Sequence, residues 1–172
     1  LNLTMFYNTF QSTMAATERI YELNTTQPDV IEKADAFELP KISGKTKFKD
    51  VVFGYKEDEL VLNRFNLTVE PGETIAIVGP TGAGKTTIIN LLARFYEIQE
   101  GEITLDGYNI QEVTLSSLRK QMGIVLQDPY LFSGTISENI AYGYGTEKNL
   151  SEIEAVARAV NAHEFIERMP KK

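Results

Sequence analysis

The chain has 172 residues, a formal net charge of -7 at pH 7, 42% hydrophobic residues, no cysteine, no tryptophan and one histidine. The length suits one domain able to bury a core, and without cysteine there is no disulfide partner, thiolate metal site or cysteine nucleophile. The lone His163 excludes a multi-histidine centre and leaves oxygen-ligated ions such as Mg²⁺ or Ca²⁺, while the acidic balance excludes broad electrostatic binding of nucleic acid.

Residues Leu1 to about Leu23 read as a helix, with Leu3, Phe6, Phe10, Met14, Thr17 and Tyr21 at helical spacing. Its front is unusually apolar, and its charges, Glu18 and Arg19, come late. Either it packs on its own domain or it is the stub of a longer apolar helix. The abrupt start, Leu1-Asn2-Leu3, favours the stub and carries no secretory leader. No apolar run approaches the roughly 18 residues of a membrane-spanning helix. Asn24 to Lys45 reads as a linker, with Pro28, Pro40 and Gly44 and no sustained period.

Thr46 to Phe53 alternates as a strand, and Leu62 to Val69 holds a second. Glu70-Pro71-Gly72-Glu73 is a turn, followed by the continuous apolar run Thr74 to Val78. Such a run suits a strand buried on both faces of a parallel sheet. Lys85 to Tyr96 reads as a helix, Glu102 to Asp106 as a strand, Asp106-Gly107 as a turn and Ser116 to Gln121 as a short helix. Gly123 to Leu126 is a second buried strand. Ser137 to Tyr142 is a short helix with Ser137 as its cap, and Leu150 to Val160 and Ala162 to Met169 are helices, the first capped by Ser151.

Chemistry concentrates in Gly79-Pro80-Thr81-Gly82-Ala83-Gly84-Lys85-Thr86, which fits G-x-x-x-x-G-K-[ST] at every fixed position. It follows one apolar run and opens a helix, the order a phosphate-binding loop needs. Gly79, Gly82 and Gly84 are expected to turn the backbone with positive φ and bring amides close to phosphate oxygens. The helix N-terminus adds partial positive charge. Lys85 supplies a cation for the outer phosphates, Thr86 a hydroxyl for Mg²⁺, and Thr87 a donor for an inner phosphate. Nucleoside triphosphate binding is the expectation, and the motif alone does not choose among kinases, GTPases, motors and transporter ATPases.

Two residues outside the loop narrow the choice. Tyr55, after Val51-Val52-Phe53-Gly54, either stacks on a base or is an ordinary strand-end tyrosine. Gln127 closes Gly123-Ile124-Val125-Leu126, where ligands of open α/β sheets gather. It either reaches a metal ion and a water near the γ-phosphate or caps backbone groups in a loop.

In order and spacing, Tyr55, the Gly79–Thr86 loop and Val125-Leu126-Gln127-Asp128 resemble the first part of an ABC transporter ATP-binding domain. Gly101-Glu102-Ile103-Thr104-Leu105-Asp106-Gly107, Leu131 to Ile140 and Glu18-Arg19-Ile20-Tyr21-Glu22-Leu23 resemble the exporter branch, in particular a bacterial multidrug or lipid half-transporter. The resemblance implies an α/β P-loop NTPase core of RecA-like type with an antiparallel β-subdomain, an incomplete sheet and a preceding N-terminal helix. It divides the chain into 1–24 (end of the last transmembrane or intracellular helix), 25–45 (linker), 46–149 (front of the ATP-binding domain) and 150–172 (start of the helical subdomain).

By the same resemblance Tyr55 stacks on adenine and residues Gly79 to Thr87 form the Walker A loop holding ATP. Thr86 and Gln127 coordinate Mg²⁺, Gln127 and Lys85 act in hydrolysis, and Gln127 opens the Q-loop. The implied partners are the protein's own transmembrane domain with its coupling helices and a second ATP-binding domain, at the cytoplasmic face of the membrane. The family's signature motif, Walker B aspartate, catalytic glutamate and switch histidine fall beyond Lys172. The expectation is therefore that this segment alone binds nucleotide without hydrolysing it, is poorly stable, and leaves Thr74–Val78 an unpaired apolar edge. His163 is expected on a partly exposed helix, away from catalysis. Two rival readings remain: a non-hydrolytic docking fragment, and a soluble kinase or GTPase. Against the second, no N-K-x-D motif follows Gln127.

Overall fold

The computed structural model describes residues 3–56, 58–144 and 149–169. The chain forms two compact units, 1–121 and 122–172.

The first unit opens with α1 (Leu3–Thr25), which has no buried residue. No described helix is long and apolar enough to cross a membrane. The body of the unit is a four-stranded antiparallel sheet of β1 (Thr46–Phe53), β2 (Leu62–Val69), β3 (Glu100–Leu105) and β4 (Tyr108–Asn109), in the order β2-β1-β3-β4. Phe48 sits opposite Leu67 on one side and Ile103 on the other. Phe48 and Val51 are both buried although three apart, a spacing that simple alternation would put on opposite faces. A register shift between them, with Asp50 at φ 48°, returns Val51 to the core side. Gly101 makes that bulge possible, because a Cβ there would lie 2.4 Å from the Asp50 carbonyl oxygen.

Helix α2 (Lys85–Leu92) packs Thr87, Ile88 and Leu91 inward. It ends four residues short of the expected Tyr96 because Arg94 turns left-handed, at φ 51°. That guanidinium is buried, and each of its three nitrogens donates. It donates to the Glu97 carboxylate (2.7 Å), the Ile110 and Val113 carbonyls (3.1 and 3.2 Å) and the Ile31 carbonyl (3.2 Å). Arg119, at the end of α3 (Leu115–Lys120), donates to the Ala93 and Arg94 carbonyls and satisfies the helix terminus.

The segment read as a linker is strapped down. Leu39 and Ile42 amides donate to the Ser117 and Gln121 side chains, and Gln121 returns donors to the Leu39 and Pro40 carbonyls. The Asp106 carboxylate accepts from the Ser43 amide and hydroxyl and from the Gly44 and Lys45 amides. Led by the Ser43 amide, those donors hold its pKa below the ordinary aspartate value.

Two expected strands are absent. Residues 74–78 and 123–126 take no regular structure, and Val78 and Val125 are 87% and 98% exposed. A buried parallel strand exists only with ladder partners on its edges. The described strands pair among themselves and offer these runs none.

In the second unit an irregular stretch precedes α4 (Ile136–Ala141), a 3₁₀ turn (Tyr142–Tyr144), α5 (Leu150–Ala159) and α6 (His163–Glu167). The cap of α4 is Thr135, not Ser137: its hydroxyl accepts from the Glu138 amide while the Glu138 carboxylate returns to the Thr135 amide, a full capping box. Asn149, not Ser151, caps α5. Both corrections have one cause, because a capping side chain must sit on the last non-helical residue. His163 is half-buried at the start of α6, as expected.

Candidate nucleotide-binding site

The loop from Gly79 to Gly84 follows the irregular residues 74–78 and turns directly into α2. Its geometry follows from three residues. The Ala83 amide donates to the Pro80 carbonyl (3.2 Å), closing a tight turn. Gly82 and Gly84 take φ of 85° and 82°, left-handed values that residues with a Cβ rarely adopt. Gly84 also faces the entry to β2, where an added Cβ would meet the Val61 and Leu62 side chains at 3.1 Å. The expected positive φ at Gly79 is not found. That glycine serves close packing, since its Cβ would lie 3.2 Å from the Ala83 Cβ.

Gly84 precedes α2 without any side-chain cap. The first intrahelical bond there runs from the Ile88 amide to the Gly84 carbonyl (3.1 Å), so the amides ahead of it have no helical acceptor. A Ser, Asp or Asn cap would occupy them, and a glycine leaves them for an anion. Lys85 bends over the loop, its Nζ donating to the Gly79 (2.9 Å) and Pro80 (2.8 Å) carbonyls. An ammonium has three donors, so two pin it across the loop and one remains. Thr86 is exposed and Thr87 is buried.

Tyr55 joins this end of the site. Its hydroxyl lies 3.1 Å from the Thr87 Oγ1. Its ring meets Phe53 and Tyr96 edge-to-face, with centroids 5.0 and 5.1 Å apart and planes at 83° and 86°. Tyr55, Thr87, Lys85 and the loop are thus brought together within the first unit. Tyr96 went unread in the sequence because the helix was expected to run through it. Arg94-Phe95-Tyr96, a charge breaking into an apolar stripe, was the available signal.

Gln127 belongs to the second unit, at an exposed bend after residues 122–126. Among the described residues no group of three or more His, Cys, Asp or Glu side chains could hold a metal ion. The donors of the loop are cationic or neutral, which fits a polyphosphate that brings its own Mg²⁺.

A glycine-rich loop feeds a helix, a lysine folds over that loop and a tyrosine hydroxyl meets the same helix, and the chain belongs to the ABC transporter family. The model of that family, described as ABC transporter, matches residues 62–172. An ATP-dependent lipid A-core flippase of Syntrophus aciditrophicus (strain SB) is 44% identical over 98% of this chain and 28% of its own length. A fatty acid ABC transporter ATP-binding/permease protein of Mycobacterium bovis is 45% identical over 98% of this chain and 26% of its own. Among solved structures, a bacterial Atm1-family ABC exporter with ATP bound matches with a TM-score of 0.83 at 40% identity, over 98% of this chain and 30% of that one. The chain therefore spans between a quarter and a third of the proteins it matches.

Proposed function

We propose that this chain is the ATP-binding front of an ABC exporter that couples ATP binding and hydrolysis to export of a substrate across a membrane. The observation that carries the reading is Lys85 folded over the Gly79 and Pro80 carbonyls at the mouth of an uncapped helix. A cation with one donor to spare, amides without acceptors and two left-handed glycines together bind a triphosphate and suit few other ligands.

In this reading Tyr55 stacks on adenine, the loop from Gly79 through Thr81, Gly82 and Ala83 to Gly84 cradles the phosphates, and Lys85 neutralises the outer ones. Thr86 and Gln127 hold Mg²⁺, which when bound offsets charge on the outer phosphates. Thr87 donates to an inner phosphate. A hydroxyl can accept one hydrogen bond and donate another. The Thr87 hydroxyl, 3.1 Å from the Tyr55 hydroxyl, can therefore pair with Tyr55 and with an inner phosphate at once. Gln127 positions water near the γ-phosphate. Transmembrane helices with their coupling helices and a second ATP-binding domain complete the assembly at the cytoplasmic face, supported by the naming of the relatives as flippase, permease and exporter.

The test is calorimetric titration of MgATP into the full-length protein carrying Lys85→Ala. Loss of a charge-assisted contact predicts affinity weaker by about ten-fold or more. Unchanged affinity overturns the loop assignment.

A further inference from the structure

We propose that Tyr96 is a positioning residue for the base-stacking ring, setting the orientation in which Tyr55 receives adenine; this rests on the stacking role of Tyr55 proposed above. Three contacts converge on Tyr55: the Thr87 hydroxyl at the phenol end, Phe53 across one T-shaped contact and Tyr96 across another. A single edge-to-face neighbour leaves a ring free to pivot. Two of them and an anchored hydroxyl set its centroid, its plane and its long axis. Tyr55 is half-exposed, so the ring keeps area for a base.

Phe53 is buried and belongs to the sheet core, but Tyr96 is 38% exposed, so filling the core is not its purpose. It reaches Tyr55 because the chain leaves α2 through the left-handed Arg94. The buried Arg94 guanidinium, on Glu97 and on the Ile110 and Val113 carbonyls, holds that turn. Tyr96 therefore leans on Tyr55 from a rigid corner, and α2, which carries Thr87, leads into that same corner. One helix thus presents the phosphate-end hydroxyl from its first turn and the ring support from just beyond its last.

The experiment compares MgATP with magnesium tripolyphosphate, which has the phosphate chain and no base, by calorimetry on the full-length protein. Tyr96→Leu is expected to weaken MgATP about five-fold and to leave tripolyphosphate unchanged. Tyr96→Phe restores wild-type affinity, because the ring and not the hydroxyl makes the contact. In a Tyr55→Leu background Tyr96→Leu adds no further loss. Should Tyr96→Leu fold poorly, Tyr96→Gln at this part-exposed position gives the same reading. Equal weakening of both ligands, or losses that simply add in the double variant, would overturn the proposal in favour of general structural support. Weaker MgATP binding in Tyr55→Leu with none in Tyr96→Leu overturns this inference alone. Unaltered MgATP binding in Tyr55→Leu removes the stacking role, and this inference with it.

Discussion

The sheet around β1 and the two apolar runs at 74–78 and 123–126 meet opposite fates, although the runs are the more hydrophobic in sequence. Phe48, Val51, Ile103 and Leu105 are all but inaccessible, each in a strand with a neighbour on its edge. Ile75, Val78, Val125 and Leu126 are exposed and belong to no ladder. An apolar run becomes a strand only when another segment completes its hydrogen bonds and covers its side chains. Hydrogen exchange on the chain reads this difference directly: slow amides in β1, fast ones through 74–78 and 123–126.

Substitutions sharpen the contrast. Phe48→Ala is expected to cost about 3–5 kcal/mol in denaturant titration, because it empties a closed site between two strands. Arg94→Met comes next, at about 3 kcal/mol, since it leaves the buried Ile110 and Val113 carbonyls without that donor. Val78→Thr and Val125→Thr are expected to change stability by less than about 0.5 kcal/mol, as exposed substitutions do. A loss at Val125 comparable to that at Phe48 would show the run covered by another segment.

The smallest effect is local. Asp106 has a folded-state pKa lowered chiefly by the Ser43 amide, so its contribution is present above the unfolded value of 3.8 and is lost as pH falls through the lower folded value. Asp106→Asn at neutral pH should lower the exchange protection factors of the Ser43, Gly44 and Lys45 amides, and acidification through the lowered folded pKa should do the same to the wild type.

The glycine turn ahead of α2 was legible at Gly82 and Gly84, which answer a local demand of backbone conformation, while the positive φ expected at Gly79 is absent. Strands β1 and β2 were legible too, and their alternation survives apart from the register shifts at Asp50 and Arg64. What escaped reading was long-range. The missing partner of Thr74–Val78 was expected, but not that the run would lose its strand form without one. The end of α2 depends on carbonyls supplied by Ile31, Ile110 and Val113, all distant in sequence from Arg94. The aromatic support of Tyr55 was hidden for the same reason, and so was the strapping of residues 31–45. The helix caps failed on a smaller scale, by two residues each, where several polar residues competed for one position.

Photolabelling with 8-azido-ATP tests the central claim most directly, because the reactive group sits on the base and marks what lies against it. The full-length protein is expected to carry the label on the peptide containing Tyr55, with the label lost when excess MgATP competes. A label that MgATP does not displace, or one confined to peptides without Tyr55, would contradict the account.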